Sequence, residues 1–334
     1  MATREELEAQ IEASPGDEAT YLILADWLQV HGDPRGELIA LDAAAAAGTQ
    51  RGEWRKRRAD LVAAHPSLVP LETGLQLVWR FGFVRRAILT KLHDVEVFAH
   101  PAFRFLSEIV VPDSEPLLAG FVEQFLTDVT DRVPLLRMLA LGDPDVRRWP
   151  TGGAPIDLDR AVPRLGQLEQ LYTITPIAFR AAPHLRVLEI HGGDRHTFVR
   201  LGGAALPALE RLVIGVRVRA DVEQGRLDDL RWLFERPPPA LTSLELLEVE
   251  FGDDMIRELV GSPLLRQLRV LRLWNAGLTR SGARLITREA FGHLELLDLS
   301  DPLLDDDTIR AVSGVCREVR TISPWMRQIE RRPG

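Results

Sequence analysis

The chain has 334 residues, 46% of them hydrophobic and 27% charged, with a formal net charge of -8. That length allows about two ordinary domains or one elongated array, and the acidic balance excludes a general field that would draw nucleic acid or anionic lipid. A lone cysteine, Cys316, excludes an internal disulfide, and no run approaches the roughly 18 uncharged apolar residues of a membrane span.

The start, MATREELEAQ, has neither a basic n-region nor an apolar h-region, so a cytoplasmic chain is expected. A short helix is predicted over Glu5 to Ala13. From residue 17 to residue 30, Tyr21, Leu24, Ala25 and Leu28 recur at i, i+3, i+4 and i+7, the stripe of a half-buried helix. His31-Gly32 supplies its stop. Asp33 then caps a second helix that begins at Pro34 and runs to about Ala47, with Leu38, Leu41 and Ala45 on one face. Asp26, Trp27, Asp33 and Arg35 thus mark a tight structural corner, where the Asp26 carboxylate and the Arg35 guanidinium are expected to pair and to bond exposed turn groups. No His or nucleophile is patterned with them, so the corner reads as scaffold and not as catalyst. Glu53 to Ala64 predicts a fourth helix. Its basic start, RGEWRKRR from Arg51 to Arg58, reads as a solvated helix face; the alternative is a phosphate or RNA site on which Trp54 stacks.

Residues 4 to about 47, and above all LADWLQVHGDPRGELIAL, resemble the short N-terminal repeat-companion domain of bacterial proteins, whose string is Y/L-A-D-W-L-x-x-x-G-D-P-R-G-E-hydrophobic. The pattern is intact at Ala25, Asp26, Trp27, Leu28, Gly32, Asp33, Pro34, Arg35, Gly36 and Glu37. The resemblance implies a domain that precedes leucine-rich or other repeats and carries no assigned catalytic residue.

Self-similarity follows. The frame L-x-x-L-x-L starts at Leu136, Leu185, Leu209, Leu244, Leu268 and Leu294, with Thr173 in the third slot of a frame at Leu168 and looser versions at Val84, Leu106 and Cys316. Starts lie between 17 residues apart (Leu168 to Leu185) and 35 apart (Leu209 to Leu244), around the window of about 20 to 29 of leucine-rich repeats. Each frame predicts a short strand with its leucines in a shared core, and returns such as Asp253 to Val260 and Asp305 to Val315 have helical spacing. In LRVLRLWNAGLT, Asn275 sits where a leucine-rich repeat asparagine would bond exposed backbone. The expected fold class is therefore α/β: a small N-terminal helical domain (1–66) capping an irregular solenoid of about ten units (67–325) that resembles a degenerate leucine-rich repeat array of parallel short strands. Trp325, Met326 and Ile329 are expected to cover its far end before a polar tail (326–334).

Strand side chains alternate, so the positions between the frame leucines face a concave surface. Tyr172, Glu189, His191, Arg211, Glu248, Glu250, Arg272, Trp274 and Asp298 are the expected partner-binding residues, since Tyr, Trp and Arg anchor interfaces. HGGDRH (His191 to His196) offers His, Asp and His within six residues. It reads first as a turn out of a strand; the rival is a metal-dependent hydrolytic site. GDPDVRRWPTGGAP, from Gly142 to Pro155, lacks any phosphate-cradling glycine motif. Asp301, Asp305, Asp306 and Asp307 lack the glycine and alternation of an EF-hand and read as an acidic helix start. Cys316 fills an apolar slot and is expected to be buried and inert. The function expected is non-enzymatic binding of another protein in bacterial regulation or signalling, with no cofactor and no bound metal. Some leucine-rich repeat proteins regulate small GTPases, which makes that partner class worth trying.

Overall fold

The computed structural model describes residues 2–48, 53–70, 74–90, 95–112, 119–144, 155–215, 226–301 and 304–321. The expected cover of Trp325, Met326 and Ile329, the loop stretch 145–154 and Arg51 lie outside the described residues. Four helices open the chain, α1 (Arg4–Ala13), α2 (Glu18–Val30), α3 (Arg35–Ala46) and α4 (Glu53–Ala64). They are followed by β1 (Leu75–Arg80), β2 (Phe83–Leu89), β3 (Glu108–Val111), α5 (Ala119–Val129) and β4 (Met138–Leu141). Then come β5 (Ile156–Asp157), β6 (Gln170–Thr173), β7 (Ile177–Ala178), β8 (Val187–Ile190), α6 (Arg195–Leu201) and β9 (Arg211–Gly215). The last elements are α7 (Arg231–Glu235), β10 (Ser243–Leu247), α8 (Gly252–Leu259), α9 (Pro263–Gln267), β11 (Val270–Trp274), α10 (Arg280–Ala283), α11 (Arg288–Phe291), β12 (Leu296–Asp298), α12 (Asp306–Val312) and β13 (Val319–Arg320). The class is mixed α/β. Two units form, one from Met1–Ser114, Gln124–Ala140 and Arg164–Gln167, the other from Glu115–Glu123, Leu141–Pro163 and Leu168–Gly334.

In the first unit the helix ends follow local chemistry. Thr3 and Glu6 form a reciprocal capping box at α1, and the Asp17 carboxylate accepts from Ala19 N at 3.1 Å to start α2. Gly32, at φ +73°, ends α2 in the left-handed conformation that glycine adopts without cost. Gly36 lets α3 cross close to α2, since a Cβ there would meet Ala25 O at 2.5 Å. The α2 stripe of Tyr21, Leu24, Ala25 and Leu28 is buried as its spacing predicts. It packs with Leu7, Ile11 and Ile39 against Phe81, Phe83, Phe105 and Leu135, so helices and strands share one core. Tyr21 meets Phe81 and Phe105 at centroid distances of 5.0 and 5.8 Å.

β1 pairs antiparallel with β2 through a two-residue turn, Phe81-Gly82, and β2 pairs parallel with β3. Both turn residues have positive φ, +49° and +74°, as the tight hairpin turn that matches strand twist requires. Here the corner departs from expectation. Asp26 is exposed and does not pair with Arg35, which turns inward. The Arg35 guanidinium is 4% exposed, donates to Gly82 O at 2.8 Å and to Leu68 O at 3.1 Å, and lies over the Phe83 ring at 5.3 Å. Burial pushes its pKa down. Two turns along α3, Asp42 accepts from Gly82 N at 2.8 Å, so both backbone groups of Gly82 are held by one helix face. Asp33 still serves the helix start, its carboxylate accepting from Arg35 N at 2.9 Å, and Trp27 stacks on His31 at 3.7 Å.

In the second unit the strands lie in chain order, β6-β8-β9-β10-β11-β12-β13, each parallel to the one before; β5 and β7 form a separate pair. Two inward rows are in register: Leu171, Leu188, Leu212, Leu244, Leu271 and Leu297, then Thr173, Ile190, Ile214, Leu246, Leu273 and Leu299. All are 2% exposed or less. Thr173 occupies an apolar slot because its hydroxyl bonds Thr175 O at 2.8 Å and accepts from Thr175 N at 3.0 Å, leaving no unsatisfied group. The returns bury Phe198 of α6, Leu233 and Phe234 of α7, Met255, Ile256 and Leu259 of α8, Phe291 of α11 and Val312 of α12.

Candidate binding face

The side of the strands opposite those leucines carries the polar residues. One row runs Tyr172, Glu189, Val213, Glu245, Arg272 and Asp298, from β6 to β12, and a flanking row includes Val187, Arg211, Ser243 and Val270. A third row places Leu247 beside Gly215 and Trp274. Parallel pairing in register brings these side chains together although neighbours in a row lie from 17 residues apart (Tyr172 and Glu189) to 32 apart (Val213 and Glu245) in sequence.

A ladder of alternating charge results. Arg211 bonds Glu189 at 3.0 Å on one side and Glu245 at 2.9 Å on the other; Arg272 reaches the same Glu245 oxygen at 2.5 Å. Glu245 is 7% exposed, tolerable for a carboxylate because two guanidiniums replace its water. At the β8 end, His191 Nε2 lies 3.5 Å from Glu189 Oε2, long for a hydrogen bond, and that nitrogen is buried with no hydrogen-bond partner among the described residues. The His191 ring holds the Glu189 carboxyl below its usual range, with Arg211 acting in the same sense and burial opposing both. Tyr172 tilts against His191 at 5.1 Å. At the other end Ser300 donates to Asp298 at 2.6 Å.

Seven of the nine expected residues therefore lie on this face: Tyr172, Glu189, His191, Arg211, Arg272, Trp274 and Asp298. Glu248 and Glu250 do not. The β10 frame begins at Leu241, with Leu244 and Leu246 inward, three residues earlier than the sequence reading placed it. Glu248 has left-handed backbone, φ +56°, just past the strand end, and Glu250 is exposed before α8. The shift puts Glu245 at the centre of the ladder, a residue that the sequence reading missed and that a frame anchored on Leu241 would have found.

Other expected features resolve locally. Asn275 is exposed with φ +49°, and the buried acceptor at that turn is Asp301, which takes Ala276 N at 2.8 Å and Leu278 N at 3.0 Å. In HGGDRH the Asp194 carboxylate caps α6, accepting from Thr197 N and its hydroxyl at 2.8 Å, while His196 is exposed on that helix. Among the described residues no group of three or more His, Cys, Asp or Glu side chains is placed to hold a metal. Asp305 starts α12 by accepting from Thr308 N at 2.8 Å, and its bonds to Thr308 and then to Arg280 lower its pKa. Cys316 is half-buried instead of buried; burial raises its thiol pKa, and Sγ bonds Glu318 O at 3.2 Å. No described helix is long and apolar enough to cross a membrane.

No family model and no curated protein matches this sequence. Among solved structures, the crystal structure of a protein from Bacteroides fragilis is similar, with a TM-score of 0.54 and 19% identity over 68% of this chain and 68% of that one. At that identity the likeness concerns fold alone.

Proposed function

We propose that this chain is a non-enzymatic binding protein, a degenerate leucine-rich repeat scaffold introduced by a repeat-companion segment, that takes another protein on the outer face of β6 to β12. The carrying observation is the in-register placement of Tyr172, Arg211, Arg272 and Trp274 along neighbouring strands, with the half-buried Leu247 paired beside Trp274. Aromatic and Arg anchors are the residue types enriched in interface hot spots. The charges on this face already satisfy one another, so a partner would desolvate neutral pairs and not lone ions, which lowers the cost of association. Affinity on this reading comes from the aromatic anchors, while the ladder sets orientation.

The test compares intact protein with a Tyr172→Ala, Trp274→Ala variant of unchanged melting temperature, each used to recover partners that are then identified by mass spectrometry. The proposal requires that specific proteins recovered by the intact chain are lost from the variant. Equal recovery of every protein would remove this face from consideration. A small GTPase is the first purified partner class to assay, by analogy of fold.

A further inference from the structure

Apart from the strand face, the first unit carries a groove of about 600 Å³ whose walls come from α3, α4 and the β1–β2 turn. Trp54, Trp79 and Phe81 line it together with Arg55, Arg58 and Arg80. The guanidiniums of Arg55, Arg58 and Arg80 lie 5.7, 5.1 and 5.1 Å from the ring centroids of Trp54, Trp79 and Phe81 in turn. Arg58 is neutralised by Asp42 at 3.2 Å. Arg55 and Arg80 are exposed and have no carboxylate partner among the described residues, although most arginines of this unit do. Glu18 and Asp42 are the carboxylates of the groove, so three guanidiniums face two carboxylates.

We infer that this groove binds a nucleoside monophosphate, its base stacked on the indoles of Trp54 and Trp79 and its phosphate taken by Arg55 and Arg80. Flat aromatic faces accept any base through its π surface, and two free guanidiniums match the geometry of phosphate oxygens. The volume falls in the range of small-ligand sites, roughly 300–1,000 Å³. The local surplus is small and the whole chain carries -8, which favours one phosphate group over a long polyanion. Such a monophosphate is either free or the end of a single strand, and both present the same base and phosphate.

Isothermal titration of the full chain with AMP, UMP, adenosine and inorganic phosphate tests the site. AMP is expected to bind more tightly than adenosine or phosphate alone. An Arg55→Ala, Arg80→Ala variant should weaken AMP by about tenfold or more and leave adenosine unchanged; Trp54→Ala should weaken both. The three side chains are exposed or half-exposed, and an unchanged melting temperature verifies each fold. A uridine decamer separates the two sources. Affinity that exceeds UMP and falls between about 50 and 200 mM salt assigns the site to strand ends, with the slope reduced by about 0.7 in the double-arginine variant; affinity no better than UMP assigns it to free nucleotide. Undetectable AMP binding, AMP no tighter than phosphate, equal affinity in the variants, or binding of a glutamate-rich peptide in place of AMP would overturn the inference.

Discussion

Arg35 donates to the carbonyl of Gly82 across 47 residues of sequence, while Asp42 of the same helix accepts from the Gly82 amide. A buried guanidinium and a carboxylate two helical turns apart thus close on the hairpin turn from one side. Removing the donor leaves Gly82 O and Leu68 O buried without partners, at about 1–3 kcal/mol each. Arg35→Met is expected to lower the urea midpoint accordingly, and Arg35→Lys to recover at most part of the loss, because an ammonium lacks the planar fork. An unchanged midpoint in Arg35→Met would count against the clamp.

Gly82 itself is constrained twice. Its φ of +74° costs an L residue about 1–2 kcal/mol, and a Cβ would sit 2.8 Å from Ile39 Cγ1. Gly48 has nearly the same φ, +77°, with nothing within 4 Å. Gly82→Ala should therefore destabilise clearly more than Gly48→Ala, and the difference between their denaturation midpoints isolates the contact with α3 from backbone strain.

On the strand face, Glu245→Gln removes the charge shared by Arg211 and Arg272 at a site that is 7% exposed. A loss of about 1–3 kcal/mol is expected. Asp254→Asn, which breaks the exposed pair with Arg257, should cost less than about 1 kcal/mol. Chemical denaturation of both variants, with similar losses found, would show that the ladder is no more than surface decoration.

Glu189 gives the face a pH signature. Its folded pKa lies below the ordinary 4.5, so its ionised form stabilises the fold. That contribution is complete above the unfolded value and disappears as pH falls from there through the depressed folded value. The stability advantage of the native chain over Glu189→Gln should be constant near neutrality and shrink only below about pH 4.5. An advantage that instead changed between about pH 6 and 8, well above the carboxylate range, would rule out Glu189 as its source.

Asp301 is the buried acceptor for two amides, Ala276 N and Leu278 N. Asp301→Ala should cost about 1–3 kcal/mol for each orphaned amide and speed hydrogen exchange at Leu278, while Asp301→Asn, which keeps an acceptor oxygen, should be milder.

Periodicity made α1 to α4 and most of the leucine rows legible, because a half-buried element repeats its own contacts along the sequence. What escaped was long-range or ambiguous. The Arg35 acceptors lie 33 and 47 residues away, so local reading paired it with Asp26. β1 was not anticipated because its turn is Phe81-Gly82, without the Asn-Gly or Asp-Gly that marks such hairpins. Around β10, Leu241, Leu244, Leu246, Leu247 and Val249 satisfy two frames three residues apart; only pairing with Leu212 and Leu271 selects one. Choosing the other carried Glu248 and Glu250 onto the face and hid Glu245.

The strict alternation along β9 has an evolutionary corollary. Deleting one residue between Arg211 and Gly215 would swing a guanidinium into the leucine layer and turn Leu212 toward water, breaking contacts with both neighbouring strands at once. Returns such as the stretch from Ile190 to Arg211 face no such parity rule. Natural variants of this chain should therefore gain and lose length between the strands and keep the strands themselves at fixed count.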